Sequence, residues 1–267
     1  MTAPPAAGWF APGTPRVLAH RGLAGPAPEN TMLAFATAIA AGAEYVEADV
    51  HATRDGVAVI SHDPDLKRVA GVDRRLLDLT LDEVQSILLD AQQGVPTLEE
   101  ALDAFPETRF NIDVKSDEAV VPTVRAIRAV RAEKRVLVTS FDEARRRRAV
   151  EALPGVATSA SSRGVVGAVA ASLIVVPVVR DALLRRVLKG VQAVQVPERR
   201  GPVRIVTERR VARLARIGVE THVWTVNDPD DMRRLLGLGV HALISDRADL
   251  ALAEVERASR GSAPNTR

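Results

Sequence analysis

The chain has 267 residues, 46% of them hydrophobic, enough to bury one large core of the size at which α/β barrels occur as single domains. It contains no cysteine, which excludes a disulfide framework, a zinc-thiolate site and a cysteine nucleophile, so any metal is left to carboxylate, imidazole or water. Its 36 Lys and Arg nearly balance 34 Asp and Glu, for a net charge of +2, so no nucleic-acid partner is called for, and the pI near 9.4 reflects an excess of arginine.

Residues 1–15, rich in Ala, Pro and Gly, lack the basic start and apolar stretch of a secretory signal. They read as a disordered tail on a cytoplasmic protein, ahead of one domain over 16–256 and a second polar tail over 257–267. A strand is predicted over 17–20 and a helix over 31–41, capped by Asn30 or Thr31. A strand over 45–51 then meets Arg54-Asp55-Gly56, and Asp-Gly between short apolar runs is a hairpin signal, too tight for a parallel crossover. Strand 57–62 therefore folds back antiparallel, which sets His62 roughly opposite Glu47. Residues 63–108 exceed an ordinary connection and predict a short insertion at the mouth, with helices over 80–89 and 97–105 opened by the capping boxes Thr80-x-x-Glu83 and Thr97-x-x-Glu100.

Further strands are predicted over 109–115, 135–140, 156–160, 191–196, 220–226 and 241–245, with helices over 118–132, 143–152, 207–217, 230–236 and 248–258. The most apolar stretch, 164–179, is interrupted by Ser172 and Pro177 and falls short of the roughly 20 residues that cross a bilayer. It reads as a buried helix followed by a connection, with no stable membrane insertion. Strands alternating with helices imply a parallel sheet with crossover helices. Nine strands less the hairpin strand leave eight, the number of a TIM (β/α)8 barrel, whose reacting groups sit at the carboxyl ends of the strands.

The polar residues gather at those ends. Side chains alternate along a strand, so Glu47 and Asp49 project to one side, where like charges held together call for a cation between them. A hard divalent ion with oxygen ligands is one such cation, and ion pairs with some of the 32 arginines are the plain alternative. His20 and His62 carry the side chain able to exchange protons near neutrality. Arg21 offers a planar fork for two phosphate oxygens, and Lys115 a point charge. Trp224 suits either an apolar wall of a pocket or core packing. No role is assigned to His51, His222 or His241, and Arg145 to Arg148 cover a solvated helix surface.

His20-Arg21-Gly22, Pro28-Glu29-Asn30-Thr31, Glu47-x-Asp49, Thr53-x-Asp55-Gly56, His62-Asp63, Asn111-Ile112-Asp113-Val114-Lys115 and Val223-Trp224-Thr225-Val226-Asn227-Asp228 occur in the order found in one family. On these blocks, from Val17 to Ser245-Asp246, the chain resembles the glycerophosphodiester phosphodiesterases. The resemblance implies a metal-dependent hydrolase on a TIM barrel that cleaves glycerophosphodiesters to an alcohol and sn-glycerol 3-phosphate. It implies that Glu47, Asp49 and Asp113 hold one divalent cation, Mg²⁺ or Ca²⁺, with His20 as proton acceptor and His62 as donor. Arg21 and Lys115 would grip phosphate, Trp224 would flank the glycerol or the leaving alcohol, and Glu29 would orient Arg21. Asp113 departs from the glutamate frequent at its position, and its shorter arm alters how it reaches an ion. Attack by water and attack by the neighbouring glycerol hydroxyl through a cyclic phosphate both remain open. So do a lysophospholipase D type activity on the same barrel and a catalytically silent phosphate-ester binding module.

Overall fold

The computed structural model describes residues 8–11, 13–25, 27–90 and 92–261. In chain order its strands are β1 (Arg16–His20), β2 (Tyr45–Ala52), β3 (Ala58–Ile60), β4 (Asp65–Leu66), β5 (Val72–Arg75), β6 (Arg109–Val114) and β7 (Val136–Thr139). They continue with β8 (Ala157–Thr158), β9 (Ala193–Pro197), β10 (Arg199–Arg200), β11 (Val203–Arg204), β12 (Glu220–Trp224) and β13 (Ala242–Ser245). The main sheet runs β8-β7-β6-β2-β1-β13-β12-β9. A parallel bridge from Ser159 to Ala193 brings its two ends together. The result is the expected eight-stranded α/β barrel. β3 pairs antiparallel with β2 outside this ring, as the Asp-Gly turn requires, and Gly56 adopts φ 78° there. Val50 faces Ile60 in that ladder, so its continuation would put position 62 level with Ala48, one residue from Glu47.

The helices are α1 (Met32–Ala40), α2 (Lys67–Ala70), α3 (Leu81–Gln85), α4 (Leu98–Ala104), α5 (Val120–Ala129) and α6 (Glu143–Ala152). After these come α7 (Ser162–Ala171), α8 (Pro177–Val187), α9 (Glu208–Arg216), α10 (Pro229–Gly237) and α11 (Ala248–Gly261). Thr31, and not Asn30, caps α1, accepting a hydrogen bond from the Ala34 amide. Both predicted capping boxes form, at Thr80 and Thr97.

Alternation divides the core in two. Val46, Ala48 and Val50 of β2 pack outward under the helices, with Phe35 of α1 meeting Phe110 edge to face at 5.8 Å. Tyr45, Glu47, Asp49 and His51 stand on the opposite face, where Tyr45 joins Leu18, Leu137 and Ile244 inside the barrel. The insertion between β3 and α4 has its own small core of Leu66, Leu76, Leu79, Val84 and Val95 against Val59, which ties it to the barrel.

Three expectations are corrected. Residues 8–11, within the tail predicted over 1–15, pack on the barrel. Trp9 is fully buried, its indole donates to the Phe110 carbonyl at 3.0 Å, and its ring stacks 5.8 Å from His222. Tyr45 Oη returns a hydrogen bond to the Trp9 carbonyl at 2.8 Å, and Arg16 reaches both the Phe10 carbonyl (2.8 Å) and Glu220 (2.5 Å). At the other terminus α11 continues through 261, because Arg257 and Arg260 pair with Glu254 and Glu256 one turn back. The parts of the two predicted tails over 1–7, at 12 and over 262–267 lie outside the described residues. Finally, 164–179 is not a buried helix and a connection. Pro177 opens a second helix, the first turn being where proline costs no hydrogen bond, and only Ala168, Ala171, Arg180 and Leu184 of α7 and α8 are buried. No helix among the described residues is long and apolar enough to cross a membrane.

Trp9 fills the inner core where the strands begin. Trp9→Ala is expected to destabilise the protein by about 3–5 kcal/mol in urea unfolding. A loss within experimental error would mean that this residue packs on the barrel without supporting it.

Candidate active site

His20 is the last residue of β1, and the β1–β2 register sets it beside Glu47. One step further along, the β2–β6 register sets Asp49 beside Asp113. The next residue, Arg21, has φ 57°, a left-handed conformation uncommon outside glycine. Its amide donates to the Glu47 carbonyl at 3.0 Å and to Glu47 Oε2 at 3.2 Å, which holds the turn. Gly22 follows at φ 85°, and a Cβ there would stand 2.6 Å from the Ala34 carbonyl carbon, so α1 can approach only a glycine. The turn thus swings the Arg21 side chain over the carboxylates. Its Nε lies 3.0 Å from Asp49 Oδ2 and its Nη1 donates to Glu29 Oε1 at 2.9 Å.

Glu47, Asp49 and Asp113 are all buried. Lys115 stands between the two aspartates, its Nζ 2.7 Å from Asp49 Oδ1 and 2.7 Å from Asp113 Oδ2. Asn30, a candidate helix cap by its position, instead donates from Nδ2 to Asp49 Oδ2 at 3.1 Å. Burial works to raise the Asp49 carboxyl, but Lys115 and Arg21 overcome it and hold the group below its ordinary range. Burial raises Asp113, and Lys115 does not fully offset it. Glu47 has no cation as close, and His20 and Lys115 only partly offset its shift up to about 8, caused by burial first and the Asp49 charge second. Burial lowers Lys115 less than Asp113 and Asp49 raise it, so it stays an ammonium.

Each histidine leans on a carboxylate. His20 Nδ1 lies 2.6 Å from Asp246 Oδ1, which leaves Nε2 facing Glu47 Oε2 at 3.9 Å. Burial tends to lower its pKa, but the Asp246 hydrogen bond and Glu47 outweigh that and raise it. Asp246 is itself fixed by Asn227, whose Nδ2 donates to Oδ2 at 2.7 Å and whose Oδ1 accepts from the Asp246 amide at 2.9 Å. His62 Nδ1 lies 2.8 Å from Asp63 Oδ1, and Arg68 of α2 donates to Asp63 Oδ2 (2.5 Å) and Glu29 Oε1 (2.6 Å). The chain His62, Asp63, Arg68, Glu29, Arg21, Asp49 therefore links the second imidazole to the acidic cluster. His51, assigned no role from sequence, stands 3.2 Å from the His62 carbonyl through Nε2, and burial lowers its pKa, so it serves as a neutral donor there.

Trp224 ends β12 with its ring 6.0 Å from Phe141, edge to face, and its body against the inner barrel core. It packs on the core and stays half-buried. Phe141 is 57% exposed and lies 5.8 Å from Lys115 Nζ, which makes it part of the rim. His51, Asp63, Phe141, Arg68, Asn30, Asn227 and Asp246 have no site role assigned from the sequence. Asn30, Asn227 and Asp246 fall within the quoted motif blocks or at the end of the span they cover, but their partners are distant in the chain.

The donor set suits a hard cation. Two of its buried oxygens, Asp113 Oδ1 and Asn30 Oδ1, have no hydrogen-bond partner. Among the described residues no three Asp, Glu or His side chains converge on an ion site as they stand, because the Lys115 ammonium occupies the space between Asp49 and Asp113.

Comparison with known proteins agrees with this geometry. Residues 20–250 match the model of the glycerophosphoryl diester phosphodiesterase family. The chain is 43% identical over 235 residues to the probable glycerophosphodiester phosphodiesterase 2 of Mycobacterium tuberculosis, covering 87% of this chain and 88% of that one. Its fold superposes on a putative glycerophosphoryl diester phosphodiesterase of Silicibacter pomeroyi (TM-score 0.74, 24% identity, 92% of this chain and 96% of that one). It also superposes on an Oleispira antarctica phosphodiesterase in complex with the product sn-glycerol-3-phosphate (TM-score 0.71, 22% identity, 91% and 97%).

Glu47 keeps its proton up to about 8 when folded and releases it near 4.5 when unfolded. Between those values the folded state binds more protons than the unfolded chain, so this group lowers stability as pH rises. Glu47→Gln cannot ionise. In chelator-treated protein it is expected to melt above wild type by a margin that widens across that interval in thermal scans. A constant margin would show that burial does not hold the proton on Glu47.

Proposed function

The chain belongs to the glycerophosphoryl diester phosphodiesterase family, and on that footing we propose that it hydrolyses glycerophosphodiesters to an alcohol and sn-glycerol 3-phosphate by proton transfer between two histidines with one divalent cation. The observation that carries this reading is the pairing of each imidazole with its own carboxylate, Asp246 for His20 and Asp63 for His62, with Asp63 tied through Arg68, Glu29 and Arg21 to Asp49. A carboxylate on Nδ1 fixes the tautomer and leaves Nε2 for the exchange of protons. The product bound in the Oleispira antarctica phosphodiesterase supports the choice of product.

Arg21 and Lys115 are the cations that meet the phosphoryl oxygens, and Arg21 comes pre-aligned by Glu29 and Asp49. His20 Nε2 takes the proton of the attacking hydroxyl, from water or from the neighbouring glycerol hydroxyl, which in the second case closes a cyclic phosphate that a water then opens to glycerol 3-phosphate. The bond from phosphorus to the leaving oxygen breaks, and His62 supplies the proton that the departing alcohol needs. Trp224 and Phe141 present apolar surface to the organic part of the ester. Glu47, Asp49 and Asp113 would hold Mg²⁺ or Ca²⁺, which supplies positive charge for the phosphoryl oxygens. Accepting it requires Lys115 to leave the two aspartates and turn to the phosphate.

Release of choline and glycerol 3-phosphate from glycerophosphocholine tests the activity, with lysophosphatidylcholine assayed in parallel for the lysophospholipase D alternative. His20→Ala and His62→Ala are each expected to lower kcat by roughly 10²- to 10⁴-fold with the fold intact by circular dichroism. Asp246→Asn is expected to lower kcat while KM stays near wild type, because it orients His20 without touching substrate. Wild-type turnover in either folded histidine variant would refute the proton-transfer assignment.

The cation has a separate readout. Exhaustive chelation is expected to abolish activity and Mg²⁺ or Ca²⁺ to restore it, and the same ion should raise the melting temperature of the chelated protein but not of Asp49→Asn. Full activity after chelation would remove the metal from the mechanism.

A further inference from the structure

The surface formed by α7 and α8 has no part in the site and is unlike the rest of the molecule. Val175 is 88% exposed, Val178 80%, Leu173 69%, and Val166 and Val176 more than half. Val179, Leu183 and Val187 follow at four-residue spacing on α8, each also exposed, so the apolar strip continues along one helix face. Scattered single apolar residues on a surface need no explanation, but a contiguous strip marks a docking face.

Charge surrounds the strip. Residues 162–216 hold twelve Arg and Lys against three Asp and Glu, a net charge of +9 in a chain of +2, so the remaining residues together carry −7. Arg163, Arg185, Arg186 and Lys189 lie on α7, on α8 or just beyond it, and Arg209 on α9, all exposed. None of these five is within ion-pair distance of a carboxylate among the described residues, whereas Arg180 and Arg216 share Asp181. α9 abuts the pair of helices through Arg213, which donates to the Ser172 carbonyl at 2.6 Å. The arginines crowd one another there: burial and then Arg180, Arg209, Arg210 and Arg216 hold the Arg213 guanidinium below its ordinary pKa.

We propose that α7 and α8 dock the protein on the surface of anionic lipid membranes, the valines entering the boundary between headgroups and acyl chains while the flanking Arg and Lys meet lipid phosphates. Apolar side chains beside unpaired cations are the combination that an anionic bilayer satisfies in both respects. A second copy of this chain is disfavoured as the occupant, because a two-fold contact would set the exposed Arg163, Arg185, Arg186 and Lys189 of one copy against those of the other. Nucleic acid would meet the cations but leave the valines in water. The inference is independent of which phosphodiester the site cleaves.

Co-sedimentation with vesicles of equal parts phosphatidylglycerol and phosphatidylcholine, against pure phosphatidylcholine, is the test. Wild type is expected to bind the mixed vesicles, with binding that falls as salt rises. Val175→Asp/Val178→Asp and Arg185→Glu/Arg186→Glu should each weaken it by roughly tenfold or more, with hydrolysis of soluble glycerophosphocholine unchanged. Absence of binding, or equal binding in the valine variant, would overturn the proposal. So would a homodimer in light scattering that the valine variant dissociates, or duplex DNA binding that depends on Arg185 and Arg186 but not on the valines.

Discussion

Three carboxylates buried side by side are the constraint around which this molecule is organised. The registers that set His20 beside Glu47 and Asp49 beside Asp113 bring like charges together in a place where water cannot screen them. Such an arrangement persists only with compensation. Lys115 and Arg21 compensate Asp49, Lys115 partly compensates Asp113, and Glu47 is left to keep its proton. With that proton in place, the two remaining carboxylates face two fixed cations, Lys115 and Arg21.

The barrel makes this arrangement affordable by rigidity elsewhere. Outward valines and alanines pack the strands under the helices, and Trp9 and the Arg16–Glu220 pair fill the interior where the strands begin. The insertion contributes more than cover. Its small core anchors the segment that carries Arg68, and Arg68 grips Asp63 and Glu29 together, so the carboxylate partner of His62 and the Arg21 side chain share one ionic lattice. The left-handed turn at Arg21, and the close approach that Gly22 permits, are local strain tolerated at the point where the site needs a guanidinium aimed inward.

The electrostatic character of the molecule is divided. Near-zero net charge conceals a strongly basic region over 162–216 and an acidic remainder that includes the site. Composition averages this away, because it counts residues without regard to where the chain places them.

Much was legible in the one-dimensional pattern. All eight barrel strands, the hairpin strand and the two capping boxes follow from periodicities of two and 3.6 and from Asp-Gly and Thr-x-x-Glu signals, which act over a few residues and so survive without tertiary information. The residue types of the site were legible too, since strand alternation alone puts Glu47 and Asp49 on one face. What the chain order could not disclose were contacts between distant segments: Trp9 inside the barrel, Asp246 behind His20, Arg68 behind Asp63, Asn30 on Asp49. Nor could it show that 164–187 forms two exposed helices, because apolar residues in sequence say only that burial would be favourable, while the folded barrel decides how much surface there is to cover them. Local backbone preference and side-chain alternation were therefore determined by the sequence itself. The partners of each charge were decided only when barrel closure brought together strands more than two hundred residues apart.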